Sequence, residues 1–65
     1  MTDSHGNEIH AGDTLMSSQH PSYTVKVLEI VGGVALLQHT TELDGRPEFR
    51  CKQSALSSSM WIRKP

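Results

Sequence analysis

The chain has 65 residues, a formal net charge of −1 and a single cysteine, and 35% of it is hydrophobic. A chain of this length makes one domain with a thin core, its near-neutral charge excludes bulk polyelectrolyte binding as the obvious role, and the lone Cys51 excludes an intrachain disulfide framework. No apolar run reaches the length of a membrane span and the polar start from Met1 to Ile9 lacks the apolar stretch of a secretory signal, so a reduced, cytoplasmic protein without membrane contact is expected.

No long segment carries helical periodicity; short β-rich runs between turn residues dominate. Asp3-Ser4-His5-Gly6-Asn7-Glu8 is turn chemistry, and residues 1–8 are expected to be a flexible lead-in. After Ile9, Ala11-Gly12-Asp13 makes a second turn into a first strand at Thr14-Leu15-Met16, which the loop Ser17–Ser22 ends because Pro21 has no N–H for a ladder. Tyr23-Thr24-Val25-Lys26-Val27 alternates, and the alternation slips at Leu28, which predicts a bulge or sharp bend. Gly32-Gly33 supplies the positive-φ pair of a tight hairpin. Val34-Ala35-Leu36-Leu37 is apolar on both faces and predicts a central strand covered twice. A turn around Asp44-Gly45 follows, then Glu48-Phe49-Arg50-Cys51-Lys52, with Phe49 and Cys51 inward and Arg50 and Lys52 outward. Gln53–Ser59 is short and serine-rich, which predicts a single 3₁₀ turn anchored by Leu56. Met60-Trp61-Ile62-Arg63 is the last strand.

This order of loop, hairpin, hairpin, 3₁₀ turn and final strand predicts an all-β, five-stranded SH3-like barrel over residues 1–65, with an OB-like barrel as the alternative. The lead-in Asp3-Ser4-His5-Gly6-Asn7-Glu8-Ile9-His10-Ala11-Gly12-Asp13 has the pattern Asp-x-x-Gly-x-x-Ile-x-x-Gly-Asp before an apolar strand. In this, and in the Pro21-containing loop that feeds Tyr23-Thr24-Val25, the chain resembles small uncharacterised bacterial and phage SH3-like proteins. The resemblance covers about the first half of the chain. It implies the fold and no particular chemistry, because such barrels carry many roles. Thr14 stands where that group more often has an aliphatic residue.

Candidate chemistry is sparse. His5, His10, His20 and His39 fall in no metal-ligand spacing, so neither metal nor cofactor is expected. There is no Gly-x-Ser-x-Gly elbow and no specified nucleophile–base pair, so the chain is not expected to be an enzyme or to take a small-molecule substrate. Gly32-Gly33 lacks the Lys-Ser/Thr and the following helix of a phosphate loop. Cys51 alternates with Arg50 and Lys52 and reads as a small inward hydrophobe. In Met60-Trp61-Ile62, two apolar residues outnumber one, which favours Met60 and Ile62 inward and Trp61 outward beside Arg63; the opposite reading has Trp61 cap the open end of the barrel. The sequence therefore points to a non-enzymatic interaction module that binds a protein partner or a second copy of itself. Its contacts would come from Trp61 and its surroundings and the outer face of Val34–Leu37, rimmed by loops 17–22 and 42–47. The alternative is a nucleic-acid binder in which Arg50, Lys52, Arg63 and Lys64 meet phosphates and Trp61 stacks on a base.

Overall fold

A computed structural model describes residues 1–40 and 48–64. Five strands, β1 (Thr14–Ser17), β2 (Thr24–Val31), β3 (Val34–His39), β4 (Phe49–Lys52) and β5 (Trp61–Arg63), form one antiparallel sheet in the order β4-β3-β2-β1-β5. β4 and β5 are its two edges, and no ladder joins them among the described residues. The turn predicted around Asp44-Gly45, and with it the 42–47 rim, lies outside the described residues.

The β2–β3 hairpin follows from its glycines. Gly32 and Gly33 have φ of 59° and 76°, the left-handed pair whose twist matches that of the flanking strands. The expected slip in β2 is a bulge. Val27 pairs with Leu37 and Glu29 with Leu36, so Leu28 is an inserted residue with no partner of its own. Its insertion keeps Val25, Val27 and Ile30 on the inward face, where they meet His39, Leu37 and Ala35. Ile9, Leu15, Val25, Val27, Ala35, Leu37, Leu56 and Trp61 make the core, with Phe49 and Cys51 packed against it from β4 as their alternation predicts. Tyr23, expected on the face of Val25, instead precedes the strand and is exposed.

Three further expectations are corrected. Residues 53–57 form one turn of α-helix (α1, Gln53–Ser57) and not a 3₁₀ turn, although Leu56 anchors it as expected. The serines that argued against a helix close its end. Ser58 Oγ donates to the carbonyls of Ser54 and Ala55, and Ser59 Oγ donates to that of Leu56, supplying partners that a helix terminus lacks.

Residues 1–8, expected to be flexible, are folded back onto the sheet. Thr2 bridges Glu8. Gln53 accepts from the Thr2 N–H at 2.9 Å and returns a bond to its carbonyl at 3.0 Å, while Ser4 donates from both N and Oγ to the Trp61 carbonyl. Asp3 is 1% exposed. The segment thus ties the helix that follows β4 to β5, the opposite edge.

The third correction concerns Trp61. It faces inward, 9% exposed, while Met60 is outside and Ile62 lies half-buried on the outer face opposite Met16. The pairing partner decides this orientation: Trp61 stands opposite Ser17, a buried and small residue that leaves room for the indole.

Candidate interaction surface

The inward side of the sheet is built around an imidazole. His39, at the end of β3, has its ring centroid 5.3 Å from that of Phe49 and 6.0 Å from that of Trp61, the latter edge-on. Phe49 belongs to β4 and Trp61 to β5, so one ring touches both edges of the sheet, which must curl strongly to allow it. His39 Nδ1 is buried, with no hydrogen-bond partner among the described residues. Cys51 lies half-buried opposite Ala35, and burial pushes its thiol up, away from the thiolate that nucleophilic chemistry needs. Among the described residues no three His, Cys, Asp or Glu side chains are placed to hold a metal ion, and no helix is long and apolar enough to cross a membrane.

Asp3 is a structural anchor that sequence reasoning passed over. Desolvation by burial works to raise its carboxyl, yet hydrogen bonds from the backbone N–H groups of Arg63, Asn7 and His5 and the Asn7 side chain outweigh it and hold the group below its ordinary value. The signal was present in Asp3-x-x-x-Asn7 around Gly6, an Asx-type turn. What the local pattern could not show is the fourth donor, Arg63 N–H at 2.6 Å, which arrives from the far end of the chain.

The basic residues separate into two sets. Arg50 and Lys52 stand exposed on the outward face of β4, opposite Leu36 and Val34. Arg63 shares the side of its partner Leu15, at the end of β5, with Nε 4.0 Å from Asp13 Oδ2; Lys64 follows it, its N–H bonded to the Thr14 carbonyl. Between these sets Trp61 is turned into the core and offers no exposed ring for a base.

The outward face of β2, β3 and β4 has an ordered composition that single-strand reading missed. Register lines up Glu29, Leu36 and Arg50 in one cross-strand row, and Val31, Val34 and Lys52 in the next. Val34 and Leu36 are half-buried and Val31 is 66% exposed, the most open of the large apolar side chains among the described residues. An apolar centre therefore runs along β3 through Val34 and Leu36, with Glu29 on its β2 side and Arg50 and Lys52 on its β4 side, while Lys26, exposed on β2 opposite Gln38, lies further along the same face. Compared with known proteins, the chain matches no family model, no curated protein and no solved structure.

Proposed function

We propose that this chain is a non-enzymatic protein-interaction module, an SH3-like barrel that binds through the outward face of β2, β3 and β4. The barrel reading rests on the contact of His39 with both edge strands and on the bridge that residues 2–4 make between Gln53 and β5. The observation that carries the functional reading is the outward apolar cluster of Val31, Val34 and Leu36. A domain this short needs its large apolar side chains for its core, and spending them on an outer face with charged borders is the pattern of a contact centre with a polar rim. The Trp61 half of the expected contact is not carried forward, because the ring is in the core.

The test follows the methyl signals of Val31, Val34 and Leu36 and the amides of the whole chain in concentrated cell lysate, before and after nuclease treatment. Broadening centred on those methyls that survives the nuclease is the expected result. Broadening confined to Arg63 and Lys64 that disappears with the nuclease would move the protein to the nucleic-acid class, whose phosphate contacts are also lost steeply with salt.

A further inference from the structure

We infer that the occupant of this outward face is a second copy of the chain, docked about a twofold axis that runs parallel to the strands through Leu36. The inference rests on the preceding reading of the face as the contact surface, and it names the partner. It starts from the cross-strand row Glu29–Leu36–Arg50. Neighbouring strands are about 4.8 Å apart, so Glu29 and Arg50 flank Leu36 from either side, with their backbones roughly 10 Å apart. Among the described residues none of Glu29, Arg50 and Lys52 takes part in an ion pair.

Turning the sheet over about an axis along the strands exchanges left and right. Glu29 of one copy then faces Arg50 of the other, and the same pair recurs on the far side, as an isologous interface requires. Leu36 lies on the axis against its own copy. In the next row Lys52 reaches over Val31 of the second copy, covering this exposed apolar side chain with its aliphatic stem while its ammonium stays in water. A twofold axis running across the strands would instead set Glu29 on Glu29 and Arg50 on Arg50. Charge complementarity therefore selects one of the two symmetric arrangements. The strong curl of the sheet makes this face convex, so the two copies diverge away from β3; long side chains at the borders suit that widening gap. An alternative protein partner would need no such antisymmetric row.

Light scattering and sedimentation from about 10 µM to about 1 mM test the inference, over a range that detects weak association. The wild type is expected to dimerise reversibly. Glu29→Arg and Arg50→Glu, each alone, should weaken the dimer about tenfold or more by placing like charges opposite each other twice. Mixing the two variants should restore the dimer, since every border contact in the mixed pair is again of opposite sign. Both positions are exposed, and the amide spectrum of each variant checks that it folds. A monomer at every concentration, with the lysate response of Val31, Val34 and Leu36 intact, overturns self-association and leaves the interaction module standing. Loss of both signals overturns the two readings together. A dimer that neither charge reversal weakens, or that mixing fails to restore, overturns this arrangement.

Discussion

At the scale of single residues, Asp3 shows how much one buried carboxylate can organise. It collects three backbone N–H groups, two from its own turn and one from β5, and is 1% exposed. Removing it strands those donors, so Asp3→Ala is expected to cost about 2 kcal/mol near neutral pH, read from urea unfolding. The pH dependence has a definite sign. The folded carboxyl lies below its ordinary value of 3.8, so the unfolded chain takes up the proton first as pH falls. The stabilisation is complete above the unfolded value and is lost as pH drops through the folded one. Wild-type stability should therefore fall more steeply than that of Asp3→Ala between about pH 5 and about pH 2; equal slopes would remove Asp3 from this role.

At the scale of elements, the hairpin and the helical turn illustrate two kinds of local control. Gly33 has φ of +76°, and a Cβ there would meet nothing within 4 Å, so the cost of a side chain is conformational and not steric. Gly33→Ala is expected to destabilise by about 1–2 kcal/mol, which in a domain of this size lowers the thermal midpoint by several degrees. Gly32→Asn should be nearly neutral, because Asn accepts the left-handed region. Equal losses at the two positions would contradict a type I′ turn. In α1 the control is different. Serine is a poor interior helix residue, but Ser58 and Ser59 act at the end of the helix, where a hydroxyl serves the last carbonyls.

For the whole molecule, the curled sheet is joined across its inner side by ring contacts, His39 meeting Phe49 of β4 and Trp61 of β5. A chain of 65 residues has a total stability of roughly 3–10 kcal/mol on a per-residue scale. Truncating a buried tryptophan costs about 3–5 kcal/mol. Trp61→Ala should therefore remove roughly a third or more of the total stability, seen as a lowered urea midpoint and, at the low end of that stability range, as collapse of amide dispersion, whereas Trp61→Phe should lose less. An unfolding midpoint for the alanine variant equal to that of the wild type would show that the sheet holds its curl without the indole. Ser17 is the reciprocal position, since its small side chain makes room opposite Trp61 and its Oγ accepts the N–H groups of Gln19 and His20.

The sequence alone determined the strands, the Gly32-Gly33 turn, the interruption at Leu28 and the inward alternation of Phe49 and Cys51, because each is set by local backbone preference or by a period of two along one strand. Only the tertiary structure decided the side on which Trp61 lies, because a three-residue strand has too little pattern to fix its own face and its pairing with Ser17 settles the matter. It also decided that residues 1–8 are docked, since Asp3 and Thr2 take their bonds from Arg63 and Gln53, far away along the chain. The row Glu29–Leu36–Arg50 belongs to the same class. Its members lie on three strands, and strand register, a long-range property, brings an acid, an aliphatic side chain and a base into one line.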